Sequence, residues 1–245
     1  MLPLDRMTTI ARSVAVAAAT TLAALTGCAI PGAPPPMSAA RLVRLPLPAE
    51  PAAGAGEAAT HGNVGASAGL LFAADDNGGT LYSIMPEAGA GLWLHDMYDL
   101  TVAVDPYQLS LEGDLVLLRT PALRLGILHG VGGGLVAELA DSSGGTRVSW
   151  WLAHLTAGVF AQVASTPAGA AFAAVKYTYS TSSDTDTIIP THYLSGSLGY
   201  LFRVGALRVA PEVALSYGRT DPTDPMASAS WFFLIIPGVS VSAGF

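Results

Sequence analysis

The stretch that decides the fold is ALRVAPEVALSYGR, Ala206 to Arg219. Leu207, Val209, Pro211, Val213, Leu215 and Tyr217 alternate with Ala206, Arg208, Ala210, Glu212, Ala214, Ser216 and Gly218. A period of two is the mark of a β-strand. One face is apolar and the other is small or polar. QLSLEGDLVLL repeats the pattern, with Leu109, Leu111, Leu115 and Leu117 opposing Gln108, Ser110, Glu112 and Asp114. At the end of the chain Trp231, Phe233, Ile235, Val239, Val241, Ala243 and Phe245 oppose Ser240, Ser242 and Gly244, while around Phe232, Leu234 and Ile236 both faces are apolar.

A soluble sandwich alternates too, so the content of each face matters. The polar faces carry Gly, Ala and Ser with occasional charges, where a water-exposed sheet shows more Lys, Glu and Thr. A narrow, crowded interior accounts for that choice, since small membrane barrels are apolar outside and filled with small and polar side chains inside. Composition agrees. The chain is 51% hydrophobic and only 12% charged, against about 25% charged in an ordinary soluble domain, yet beyond its first residues no apolar run is long enough for a spanning helix. The closed β-barrel is the remaining membrane class.

The pattern predicts strands near 64–73, 82–95, 99–105, 107–118, 123–137, 147–164, 170–180, 191–203, 206–218 and 230–245. Eight or twelve strands are the neighbouring alternatives to ten. DMY, RTPA, STPAG and VG make short connections, whereas DDNGG, ADSSGGT, TSSDTDTIIP and RTDPTDPMASA are polar and mostly longer. Membrane barrels alternate short periplasmic turns with longer extracellular loops in this way. DPY, Asp105 to Tyr107, is the exception, a short link where a long one is expected.

From Gly62 to Phe245 the chain resembles small outer-membrane β-barrel proteins. The resemblance is most specific in the last strand, where Phe245, with Val241, Val239 and the weaker Ala243, matches the end that barrel-assembly machinery recognises in that class. It implies an all-β, antiparallel up-and-down barrel in contact with membrane lipids.

The start of the chain carries a different address. Arg6 and Arg12 precede an uncharged run from Ser13 to Leu25 and then small residues, the order of a secretory signal. The run is shorter than the roughly 20 residues of a spanning helix; Asp5 is unusual in such a segment, and Met7 is an alternative start. LTGC, Leu25 to Cys28, resembles the lipobox of bacterial lipoproteins, which implies cleavage before Cys28, acylation of that cysteine and handling by lipoprotein-sorting machinery. Ala29, in place of the Asp that retains lipoproteins at the inner membrane, implies transfer to the outer membrane of a diderm bacterium. The reading divides the chain into a signal at 1–27, a lipidated linker at 28–61 and a barrel at 62–245, with both barrel ends periplasmic. The linker is rich in Pro, Ala and Gly and cannot build a packed core; its ARLVRLPL segment could form a brief strand or recognition element.

The formal charge is -7, and removal of two Arg and one Asp with the signal makes it -8. An acidic chain is a poor nucleic-acid binder. Cys28 is the single cysteine, which excludes internal disulfides and cysteine-based metal sites.

Glu112, Asp114, Arg124, Glu138, Lys176, Arg208 and Glu212 are expected to face the lumen, with Glu112 and Asp114 near Arg124. Charges in a confined space need partners, so the expectation is an internal polar network filling the barrel, with passage of small polar solutes as the second reading. His95, His129, His154 and His192 lie on separate segments without ligand spacing; His154 is expected inward, as a satisfied core histidine. In outer-membrane lipid A deacylases a His and a Ser lie two apart on one strand face, whereas HYLS puts His192 and Ser195 on opposite faces. Omptin-like proteases need paired acids and a His-Asp dyad at the outer rim, and His95-Asp96 lies at a predicted periplasmic turn. No enzyme and no cofactor is expected. GVGGG, Gly130 to Gly134, precedes no helix and reads as bending or close packing across the lumen. Trp93, Trp150, Trp151, Trp231, Tyr177 and Tyr179 suggest interfacial girdles, although adjacent Trp150 and Trp151 must point to opposite faces. Asp184, Asp186, Asp221 and Asp224 lie in predicted loops that could meet a cation or an extracellular partner.

The function expected is thus a lipidated structural or interaction barrel, or a narrow passage. The competing expectation is a lipid-anchored periplasmic lipocalin-like barrel, in which the apolar faces would point inward around an apolar ligand.

Overall fold

The computed structural model describes residues 61–75, 80–94, 97–105, 108–120, 122–139, 146–166, 168–184, 187–205, 207–221 and 229–244. They form β1 His61–Asp75, β2 Thr80–Leu94, β3 Tyr98–Val104, β4 Leu109–Arg119, β5 Leu123–Leu139, β6 Thr146–Thr166, β7 Gly169–Asp184, β8 Thr187–Val204, β9 Leu207–Thr220 and β10 Ser230–Gly244. Neighbours in sequence pair antiparallel, and β1 pairs with β10 to close a ten-stranded barrel. The rim where β1 begins and β10 ends is called lower here, and the opposite rim upper. The signal, Cys28, the linker up to Thr60, the His95-Asp96 pair and Phe245 lie outside the described residues.

One ring of partners defines the geometry. It leaves β1 at Asn63, passes through Gly91, Thr101, Glu112, Gly130, Thr156, Thr178, Tyr193, Gly218 and Phe232, and returns to β1 at Asp75, a shear of 12 residues. Ten strands with that stagger tilt by about 40° and enclose a backbone radius of roughly 10 Å. A 15-residue strand at that tilt rises roughly 35 Å. The ten residues of the ring from Asn63 to Phe232 are all buried, so this level of the lumen is filled by the barrel's own side chains.

Alternation sets the two faces. Leu117, Leu198, Ile84, Leu194, Leu155 and Val159 each expose more than half of their surface, as do few large apolar residues in a water-soluble domain. Leu109, Leu111, Val213, Leu215 and Tyr217 stand outward with them, while Gln108, Ser110, Glu112, Glu212, Ala214 and Ser216 are buried inside. The apolar faces therefore point out, opposite to the lipocalin-like expectation.

Prolines fall where the ladders break. Pairing between β8 and β9 lapses beside Pro211, and pairing between β1 and β10 lapses beside Pro237, because proline has no N–H to donate. The anomalous DPY link marks a cut-down hairpin. β3 has 7 residues and β4 has 11, against 14 to 21 in the other strands. As a result β2 above Ala88 pairs with β1 alone, and β5 beyond Gly133 pairs with β6 alone. Pro86 sits on that free edge, where its missing donor costs no ladder bond. The hairpin is held by Asp105, whose Oδ1 accepts from the Gln108 backbone N–H and whose Oδ2 accepts from Gln108 Nε2, both at 3.0 Å.

The expected long loop at 181–190 is mostly strand. Thr181 pairs with Pro190, Ser182 with Ile189, Ser183 with Ile188 and Asp184 with Thr187. Ser and Thr read as loop in composition, yet they satisfy an extended hairpin equally well. Pro190 is tolerated because it stands above the last β8–β9 pair, Thr191 with Thr220.

Candidate functional site

The lumen is the first candidate. Near the lower rim the inward row runs from Trp93 on β2 to Asp99 on β3 and Asp114 on β4. Glu112 lies one inward position above Asp114, opposite Thr101. Thr101 Oγ1 donates to Asp99 Oδ2 at 3.0 Å, Asn63 Nδ2 reaches Asp99 Oδ1 at 3.5 Å, and Ser110 Oγ donates to Glu112 Oε1 at 3.2 Å. Asp114 has Asp99 and Glu112 as neighbouring like charges and Lys176 as the opposing one. Trp93 Nε1, Asn63 Oδ1 and Asp114 Oδ1 are buried without a hydrogen-bond partner.

Among the residues expected here, Glu112, Lys176 and Glu212 are buried and Arg208 and Arg124 are partly so. Arg208 lies across Gly244, whose added Cβ would stand 2.8 Å from its Nη1. Arg124 is not beside Asp114: the partner of Asp114 on β5 is Leu128, four residues further up, and Arg124 pairs with Arg119 and Gln162. Glu138 is opposite Arg147 in the β5–β6 register, and its side chain lies outside the described residues. Val239 and Val241 stand outward on β10.

Asn63, Glu87, Asp99 and Thr101 are buried polar residues that the sequence reading did not single out. Asp99 was legible in YDLTVAV, where it opens the expected strand and shares a face with Thr101 and Ala103. Trp93 corrects the girdle expectation: it is buried, facing the lumen in register with Asp99, because its parity on β2 matches that of inward Gly91. Trp231, Tyr177 and Tyr179 do stand outward, and the Trp150 and Trp151 side chains lie outside the described residues.

The glycine run of β5 packs closely against its neighbouring strands, where Gly130 is the register partner of Glu112 and Gly132 that of His154. A Cβ on Gly130 would stand 3.1 Å from Glu112 Cγ, and one on Gly132 would meet the His154 ring. His154 is buried inside. Elsewhere in the lumen Thr156 and Thr178 hydroxyls are 2.9 Å apart and those of Ser195 and Ser216 are 3.0 Å apart. On the β1, β8 and β10 wall the filling is apolar, with Leu71, Leu234 and Ile236 buried and Tyr193 meeting Phe232 edge-on at 5.5 Å.

The outer face carries two histidine clusters. His129 stacks on Tyr98 with centroids 5.6 Å apart, and its Nε2 is 2.9 Å from the Tyr98 hydroxyl. Gly113 beneath them leaves the room, since its Cβ would stand 2.6 Å from the imidazole. Near the upper rim, Tyr179, His192, Arg219 and Trp231 form a row across β7 to β10. His192 Nδ1 bonds the Tyr177 hydroxyl, and its Nε2 is 3.2 Å from Asp221 Oδ2. Arg219 Nε lies 2.9 Å from Asp221 Oδ1, with its guanidinium 5.3 Å from the Trp231 ring centre. Tyr217 stacks on Trp231 at 5.0 Å. Asp221 is thus engaged with the barrel wall instead of free in a loop; Asp186 and Asp224 lie outside the described residues, and Asp184 ends β7. Among the described residues no three His, Cys, Asp or Glu side chains converge as metal ligands. His192 and Ser195 are on opposite faces, the serine buried beside Ser216.

No protein-family model and no curated protein matches the chain. Solved structures do. Neisserial surface protein A is similar over 75% of this chain and 97% of its own, at 11% identity and a TM-score of 0.41. The outer membrane protease OmpT from Escherichia coli is similar over 76% and 96%, at 10% identity and 0.40. Ail, the attachment invasion locus protein of Yersinia pestis, is similar over 74% and 97%, at 6% identity and 0.34.

Proposed function

We infer that this is a lipidated outer-membrane barrel that acts as a closed scaffold: it crosses the bilayer, presents its upper loops outside the cell, and keeps its lower rim and the tether from Cys28 in the periplasm. The observation that carries the reading is the sorting of side chains. Large apolar residues cover the outside, while the interior polar and charged groups are buried among one another. A water-soluble barrel would leave that apolar surface against water, whereas a bilayer requires it.

The filled ring through Glu112, Thr178 and Tyr193 supports a structural or interaction role over free diffusion. A ten-stranded barrel is close to the size that side chains can fill. Phe245, with Val241 and Val239, serves in this reading as the assembly signal, and membrane lipids and the assembly and sorting machineries are the partners.

The experiment replaces residues 1–28 with an ordinary cleavable secretion signal. The unlipidated protein is expected to resist carbonate extraction from outer membranes, to shift in gel mobility on heating, and to give no steady conductance in planar bilayers. Release as a soluble folded protein would overturn the embedded reading, and a sustained conductance would overturn the closed one.

A further inference from the structure

We propose that the outward cavity on β8 to β10 binds the phosphorylated headgroup of a glycolipid in the outer leaflet. The inference rests on the embedded reading and adds a ligand to it. The cavity has a volume of about 270 Å³ and is walled by Tyr177, His192, Leu194, Tyr217, Arg219 and Trp231. It lies where β9 ends and β10 begins, at the upper rim, which in that reading is the level of the outer headgroups.

The guanidinium is accessible to an external anion. Its Nε lies 2.9 Å from Asp221 Oδ1 as an ion pair, its centre is 5.3 Å from the Trp231 ring centre, and its side chain is 48% exposed. An exposed guanidinium can give parallel donors to two oxygens of one phosphate. His192 is held from both sides by Tyr177 and Asp221, so both of its ring nitrogens are engaged and it serves as a fixed wall of the cavity. Leu194 and the stacked pair Tyr217 and Trp231 supply apolar and ring surface beside the anion site, suited to a sugar face or the root of an acyl chain. Arg119 stands exposed at the other rim, while Arg124, Lys176 and Arg208 share the inward faces. Among the residues whose side chains are described, this row therefore holds an outward guanidinium in the upper half.

The test uses the full-length protein in detergent. Retained lipopolysaccharide is measured by native mass spectrometry for the wild type and for Arg219→Gln. The variant is expected to retain about tenfold less, the size of a lost charge-assisted fork, and the wild type is expected to show the same loss when offered lipopolysaccharide stripped of its phosphates. Equal retention by the variant, or of the stripped glycolipid, overturns the site. Full displacement by inorganic phosphate would assign the pocket to the free anion and overturn the lipid. The heat-dependent gel shift and carbonate resistance are read in parallel, so failure of the embedding and failure of the site are told apart.

Discussion

Asp99 on β3 and Asp114 on β4 are direct cross-strand partners facing the same lumen, so two carboxylates share one wall with Glu112 diagonal to the first. Like charges directly opposite destabilise a sheet. Asp99 is answered by Thr101 and Asn63, whereas Asp114 Oδ1 has no hydrogen-bond partner. Asp114→Asn is expected to raise stability by on the order of 0.5–1 kcal/mol, even though it forgoes the attraction of Lys176. The check is the urea midpoint of the heat-modifiable band; a lower midpoint than wild type would show that Lys176 outweighs both acids.

Gly218 lies between Tyr193 and Phe232 in one inward row. A Cβ there would run into the Phe232 ring, which is itself buried. Gly218→Ala is expected to cost about 1–3 kcal/mol through overpacking. Phe232→Leu should recover part of that loss in the double variant. Simple additivity of the two changes would reject the contact as the cause.

Leu198 exposes 63% of its surface on the outer face of β8. On a water-facing wall Leu198→Lys would be neutral within about 0.5 kcal/mol. In a bilayer it is expected to cost roughly 2–4 kcal/mol near the midplane. Unfolding measured in lipid vesicles decides between the two, and an unchanged midpoint would contradict a lipid-facing position.

The β8–β9 hairpin turns just beyond the Val204–Leu207 pair, with Gly205 at φ 64°. Nothing lies within 4 Å of a Cβ placed there, so a substitution meets only the backbone penalty of the left-handed region. Gly205→Val is expected to cost about 1–2 kcal/mol, with outward faces and lumen unchanged by circular dichroism and gel shift. A neutral result would mean that the turn adopts another form.

The strands were legible because period-two patterning and turn composition are local signals. All ten expected segments overlap the observed strands, and even the odd DPY link marked a real anomaly, the short β3–β4 hairpin. What lay beyond the sequence was register. The pairing of Asp99 with Asp114, the separation of Arg124 from Asp114 and the meeting of His192 with Asp221 each depend on how two strands slide past one another. Local alternation gives the face of a residue, and only the ladder gives its neighbour. Trp93 shows a further limit: an aromatic residue near a strand end fits a girdle by type, and its parity sends it inside. Composition likewise concealed the β7–β8 extension, since Ser and Thr serve a loop and a hairpin alike.

The β1–β10 seam brings together residues such as Asn63 and Gly244, while every other ladder joins strands adjacent in sequence. Nine ladders can therefore zip locally, but the seam waits for the two ends of the barrel domain to meet, since distant contacts carry the largest closure cost. Until then both β1 and β10 present raw edges. The interval before Gly69 meets Gly238, which pairs with it, is the period in which the unclosed barrel is most open to wrong partners and most in need of escort.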